Sequence, residues 1–273
     1  MQRKKSLHNF KILYLLFMLI ASGCGTLSRY KEIKPKRIEE IEIKKALPEL
    51  RKGEKLTYEV YWKVIPVGIV TAEVKDIVEI EGKMAYHFIG TARSNKWLNI
   101  FFKVDDYVES FLDKENLLSI KHIAIRNEGR YHAHMVSEYN WQEKILRFRN
   151  LVDGTDKEFP LPSKAVDELS AFYYFRMQEI TPGNPLEFVV NQAEKNWLVK
   201  IGITSFGKMN ISGVGVFDSF VVEPQLYLGN KFFNKGKAFV YVSNDEKRIP
   251  LMVKIDVDIP IIGSILAILR KAE

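Results

Sequence analysis

The chain predicts a mainly β fold: one large antiparallel sheet curled into a barrel or half-barrel (or a sandwich), with one main helix packed against it. Three observations carry that expectation. From Glu54 onward apolar and polar residues alternate with a period of two, the repeat of a half-buried strand. Turn-forming residues interrupt the alternation at short intervals, and a single stretch changes to a helical pattern. Strands spaced this closely pair with their neighbours, and a long sheet covers its apolar face by curling on itself and packing a helix there.

The first strand is read from Leu56, Tyr58, Val60, Trp62 and Val64, which alternate with Thr57, Glu59, Tyr61 and Lys63. Pro66 and Gly68 break this run, and a second extended stretch covers 69–80. Glu81-Gly82-Lys83 makes a tight turn into a third strand at 84–91. Further strands are expected at 104–112, 118–127, 130–141 and 144–150, with hairpin turns at Glu128-Gly129 and Trp141-Gln142-Glu143. Residues 163–180 read as the helix, capped by Asp167 or Ser163 and ended by Pro182-Gly183. Strands resume at 186–191, 197–205, 208–214, 217–224, 237–243, 249–258 and 262–269. Ile65-Pro66-Val67-Gly68 is echoed by Ile259-Pro260-Ile261-Ile262-Gly263. Each places a proline and a glycine between extended runs, which suits a bulge where a strand rounds a barrel corner.

The first 23 residues have another purpose. Arg3, Lys4, Lys5 and Lys11 precede or open an apolar run from Ile12 to Ile20, and no acid accompanies them. That order is the order of a secretory signal, and the run is too short to span a bilayer. Cys24, the one cysteine of the chain, follows Ala21-Ser22-Gly23 and is the expected site of lipidation, as in a bacterial lipobox. Gly25 takes the place of the aspartate that resembles an inner-membrane retention signal, so the outer membrane, facing the periplasm, is the favoured location. Residues 24–52 are charged and interrupted by Pro35 and Pro48, and read as a tether, with a short helix possible from Ile38 to Leu47. Residues 53–273 then form a single β-rich domain.

Composition excludes several classes. The chain has 41 basic and 34 acidic residues. Taking away the four basic residues of the signal leaves a nearly balanced mature chain, with no basic stripe of the kind that binds nucleic acid. With one cysteine there is no intramolecular disulfide framework and no thiolate metal site. No cofactor is expected.

Several stretches together resemble the bacterial envelope family catalogued as domain of unknown function 3108. They are Gly53-Glu54-Lys55-Leu56-Thr57-Tyr58-Glu59-Val60 with Pro66-Val67-Gly68, the helical Asp167-Glu168-Leu169-Ser170-Ala171-Phe172-Tyr173-Tyr174-Phe175-Arg176, Ser243-Asn244-Asp245-Glu246-Lys247-Arg248-Ile249-Pro250, and the closing Ile259 to Ser264. The resemblance implies an exported, mostly β protein and supplies no catalytic residue.

Candidates for chemistry are few. His132 and His134 share one strand face with Glu138 and could approach one metal ion, but a zinc site needs three or four ligands and the spacing of a third is missing. Asp105, Asp106 and Glu109 read as a polar strand surface ahead of an acid–base pair. Ser170 lacks the flanking glycines of a nucleophile elbow, and Gly213-Val214-Gly215 is too short for a phosphate loop. Phe172-Tyr173-Tyr174-Phe175 surround a helical turn with aromatics, so the helix is expected to be buried in the curve of the sheet as core, or to line an apolar cavity there. Arg176 would then need a carboxylate or carbonyl partner. The leading expectation is therefore a non-enzymatic protein that binds a hydrophobic or amphipathic envelope component and meets the membrane through its lipid anchor. A structural module for envelope proteins comes second, and a metal-dependent hydrolase last.

Overall fold

The computed structural model describes residues 30–36, 42–46, 49–233, 236–257 and 263–273. Cys24, the signal-like segment and Pro260 fall outside them. Within the described residues are one α-helix and a single 17-stranded sheet. The strands are β1 (Tyr30–Lys36), β2 (Lys55–Trp62), β3 (Ile65–Ile80), β4 (Lys83–Ser94), β5 (Asp105–Asp113), β6 (Ser119–Glu128), β7 (Tyr131–Asn140), β8 (Ile145–Asn150), β9 (Thr155–Pro160) and β10 (Val166–Asp167). After the helix α1 (Glu168–Met177) come β11 (Leu186–Gln192), β12 (Lys195–Ile211), β13 (Gly215–Leu228), β14 (Lys231–Phe232), β15 (Gly236–Ser243), β16 (Pro250–Val257) and β17 (Gly263–Ala272).

Nearly every strand pairs antiparallel with its sequence neighbour. β17 then pairs with β2, so the C-terminal strands join the N-terminal ones and the two halves of the chain form one surface. β1 instead pairs with β12, and β10 runs parallel to β11 because α1 crosses between them. The sheet curls until its two ends meet without a ladder. There the Ser119 amide donates to the Ala165 carbonyl at 3.4 Å, the Tyr139 hydroxyl to Asn191 at 3.0 Å, and Lys157 pairs with Glu194 at 3.1 Å. The expected mainly β fold with one helix is the fold observed, and the barrel is open.

Local chemistry accounts for the elements. Gly68 sits at a bulge where Val60 pairs with Gly68 and Tyr61 with Pro66, leaving Val67 extra. A Cβ on Gly68 would lie 2.4 Å from the Arg93 carbonyl oxygen, so only glycine lets β3 and β4 approach this closely. The helix is shorter than the 163–180 expected. It begins after Asp167, whose carboxylate accepts from the amides of Leu169 and Ser170, and it ends where Gln178 turns extended. Ser163 is not the cap.

Other differences follow from bulges and exposure. The strands expected at 197–205 and 208–214 are one strand, β12, because a bulge between Ile203 and Ser205 absorbs the irregularity that reads as a break. β9 escaped the alternation pattern because none of its six residues is buried. The tether expected over 24–52 includes β1, which pairs with the far half of β12. Residues 42–46 form neither helix nor strand where the Ile38–Leu47 helix was expected, and the rest of that stretch lies outside the described residues. Asn244 holds them from two sides, accepting from the Lys44 amide and donating to the Glu42 carbonyl.

Of four apolar clusters, two large ones fill most of the body. The larger packs Tyr173 and Phe175 of α1 against Val74, Phe88, Leu112, Val199, Phe206 and Phe220, so the helix lies inside the curl. In the second, Met209 and Ile211 at the far end of β12 meet Leu251, Met252, Leu266 and Ile268. β17 is buried without interruption from Ile265 to Leu269, the pattern of a strand covered on both faces.

Candidate functional site

α1 divides the interior into two chambers, and Glu168, Phe172 and Val253 form part of the wall of both. Its aromatics split between the tasks expected of them. Tyr173 is fully buried and stacks on Phe88 with ring centres 4.0 Å apart, while Phe172 and Phe175 line cavity walls. The larger chamber, about 520 Å3, lies between α1 and β11–β16. Phe188, Val190, Val199, Ile201, Val222 and Ile255 line it. The smaller, about 200 Å3, lies on the β2–β6 side and collects Asp106, His122, Arg126 and Glu168 among apolar neighbours.

Both ends of α1 are fixed by buried charge. At the N-terminal end the Asp167 carboxylate accepts four hydrogen bonds: the amides of Leu169 and Ser170 at 3.0 and 2.9 Å, and the hydroxyls of Ser110 and Ser119 at 2.6 and 2.5 Å. The Ser170 hydroxyl lies 2.6 Å from that of Ser110, so Ser170 belongs to the cap. At the C-terminal end Arg176 is 2% exposed, donates to both oxygens of Glu54 at 2.5 and 2.9 Å, and reaches the Lys247 carbonyl at 3.1 Å. This gives Arg176 both kinds of partner expected for it. Burial disfavours its charge, but Glu54 more than offsets that and holds the guanidinium above its ordinary pKa.

The small chamber carries two charge pairs. Arg126 lies 3.3 Å from Asp106, which also accepts from the Asn127 amide at 2.8 Å. Burial pushes the Asp106 carboxyl up despite these partners. His122 Nε2 lies 3.4 Å from Glu168 without a hydrogen bond of good geometry.

Asp167 completes, with His122 and Glu168, the one group of histidine and carboxylate ligands among the described residues close enough to share a metal ion, their atoms within 4.8 Å. The donor set fits poorly. All four lone-pair positions of Asp167 are already filled by protein donors, and the group sits at a helix N-terminus, whose dipole repels cations.

The sequence candidates do not assemble. His132 is exposed and bonds Asn127 at 2.9 Å, and Glu138 is taken by Arg149 at 2.7 Å and Lys121 at 3.2 Å. Asp105, Asp106 and Glu109 do not share one polar surface. Asp105 faces outward to Arg93, and Glu109 pairs with His87, but Asp106 is buried beside Arg126, because alternation on β5 turns it inward. Gly213, at φ +81°, serves the β12–β13 turn. His122 and Arg126 escaped sequence reading because β6 carries isoleucines on both faces. Ile120 points in while Ile123 and Ile125 are half-exposed, so the pattern does not choose the inner face.

No curated protein matches the sequence. Among solved structures, a β-barrel-like protein of domain of unknown function 1849 from Brucella abortus superposes with a TM-score of 0.52 at 6% identity, covering 81% of this chain and 97% of that one. That likeness shows a shared barrel-like fold. Two looser matches are a protein named as exported, with a YmcC-like fold, from Bacteroides fragilis (TM-score 0.36, 10% identity, 82% and 96% covered) and a protein named a lipoprotein from Parabacteroides distasonis (TM-score 0.31, 8% identity, 82% and 96% covered). The model of the family described as "Protein of unknown function (DUF3108)" matches residues 57–269, and this chain belongs to that family.

Proposed function

We propose that this protein is a lipid-anchored binding protein of the cell envelope that takes up a hydrophobic or amphipathic molecule in the larger chamber beside α1, without catalysing a reaction. Cys24 behind its signal-like segment supports export and anchoring, with the outer membrane as the favoured site. The observation that carries the binding reading is the chamber itself. About 520 Å3 falls within the roughly 300–1,000 Å3 usual for ligand pockets. Its walls are mainly carbon, which suits an acyl chain or another apolar body.

Native mass spectrometry of the full chain purified from membranes is expected to show a bound molecule beyond the acyl anchor. An apolar fluorescent dye is expected to displace it with a stoichiometry of one. Val199→Trp, which fills the chamber, should abolish dye binding while the circular dichroism spectrum stays that of a β protein. Dye binding that survives Val199→Trp and Ile255→Trp would overturn the proposal, as would protein that neither carries a guest nor takes up dye.

A further inference from the structure

We propose that one rim of the open barrel docks on an anionic lipid surface through two basic, aromatic loops, at the end where the larger chamber is bounded. Strand register defines the rim. The β2–β3 hairpin, the end of β16, the starts of β17 and β15 and the 95–104 loop between β4 and β5 all lie at one end of the sheet. Trp62 pairs with Ile65, Val257 with both Gly263 and Gly236, Gly68 with Ser94, and Arg93 with Asp105. β13 ends there too, with Leu228 opposite Lys231.

This rim is apolar where a soluble loop would be polar. Ile100 is 79% and Phe101 81% exposed, and Ile69, Trp97, Leu228 and Phe232 are exposed at the same end of the sheet. Eight of the ten large hydrophobics exposed among the described residues lie at this end, Leu151 and Val152 of the β8–β9 turn included, whereas Met84 and Val216 lie at the other. Such a concentration marks an interaction site.

The loop is built to hold this display. The Asn95 side chain and the Trp97 indole both donate to the Pro66 carbonyl, at 3.0 and 3.1 Å, and the Asn95 amide donates to Val67 at 2.8 Å. Ser94 bonds Asn99 at 2.5 Å. Ile100 and Phe101 thus project from a fixed turn and contribute nothing to the core.

Charge selects the partner. Residues 93–104 (RSNKWLNIFFKV) and 226–237 (LYLGNKFFNKGK) contain Arg93, Lys96, Lys103, Lys231, Lys235 and Lys237 and not one acid. Asp105 answers Arg93 and Lys103 at 3.1 and 3.7 Å, while Lys96 and Lys231 are exposed. Tryptophan and phenylalanine between lysines match the membrane–water interface, where rings sit at headgroup depth and cations meet anionic lipid. Leu226, Phe232, Phe233 and Lys237 also line the large chamber, so a docked rim would set the chamber against the acyl layer. The docking does not depend on what the chamber holds.

The test uses the full chain reconstituted into phosphatidylcholine vesicles containing phosphatidylglycerol, with bromine on the acyl chains. Brominated lipid is expected to quench tryptophan emission, and Trp97→Phe to remove most of that quenching. Ile100→Asp with Phe101→Asp should lower the quenching at least twofold while leaving circular dichroism unchanged. Replacing phosphatidylglycerol by phosphatidylcholine should weaken it, each lysine contact with an anionic surface being worth about fivefold in partition. Absence of quenching in the reconstituted protein, or quenching that Trp97→Phe and the double aspartate variant leave intact, would overturn the proposal.

Discussion

On the β11–β16 side of α1 the interior wall is mainly carbon around about 520 Å3, whereas on the β2–β6 side it carries Asp106, Arg126 and His122 around about 200 Å3, with Glu168 shared by both. One helix serves both sides. The contrast teaches where specificity of position comes from in an interior that is not tightly filled. Apolar contacts alone would let α1 slide or rotate. Buried polar groups at its two ends fix it, because Asp167 and Arg176 are costly to leave unpaired and this placement pairs both. The apolar side, relieved of that task, keeps its volume.

The sharpest way to break this division is at the Glu54–Arg176 pair. Glu54→Ala leaves the Arg176 guanidinium buried with carbonyl partners alone, and is expected to cost about 3–5 kcal/mol of unfolding free energy in a urea titration. Glu54→Leu combined with Arg176→Met, which removes both charges, should recover most of that loss. A second Arg176 variant that is no better than Glu54→Ala alone would show that shape, not charge, positions the helix.

The two chambers should respond differently to added volume. Val199→Phe in the large chamber is expected to change stability by less than about 1 kcal/mol, since the extra atoms enter open space. Val108→Phe on the tight side should cost about 1–3 kcal/mol, the usual penalty for overpacking. Thermal melts of the two variants check the difference, and equal costs would mean that the large chamber closes in solution.

The smallest effect concerns Asp106. Its carboxyl is held above the ordinary value of 3.8 chiefly by burial. The folded state therefore takes up a proton at a higher pH than the unfolded chain does. The cost of burying the charge is present in full above the folded pKa and disappears as pH falls toward the unfolded value. Relative to Asp106→Asn, the wild-type protein should lose stability as pH rises through this window, and denaturant midpoints measured from pH 4 to 7 check the slope. An opposite slope would mean that Arg126 outweighs burial.

How much of this was legible in the sequence depends on range. Features set by neighbours in the chain were readable. The Asp167 cap, the Glu81-Gly82 turn and the Gly68 bulge all follow from residues within a few positions of one another. Features set across the sheet were not. Arg176 announced a need for a partner, yet Glu54 lies 122 residues away, and nothing in alternation singles it out. His122 and Arg126 were hidden for the reason given by β6, where hydrophobic residues occupy both faces and the curl alone decides which one is inside. The exposed apolar 97–102 stretch falls between the strands expected at 84–91 and 104–112 and drew no expectation, because a pattern of hydrophobic residues does not say which way a loop points.

Where the sheet ends meet, no row of backbone bonds joins them. Among the described residues a few bonds cross the gap: the Ser119 amide to Ala165, the Tyr139 hydroxyl to Asn191, the Lys157–Glu194 ion pair, and the bonds between Asp167 and the hydroxyls of Ser110 and Ser119. A girth closed by a full ladder is set by its strand number. Here the circumference is a clasp held by those few bonds, and letting it out by an ångström or two costs them, not the weave. If the larger chamber binds a guest as proposed, such a clasp would let it admit guests of unequal bulk.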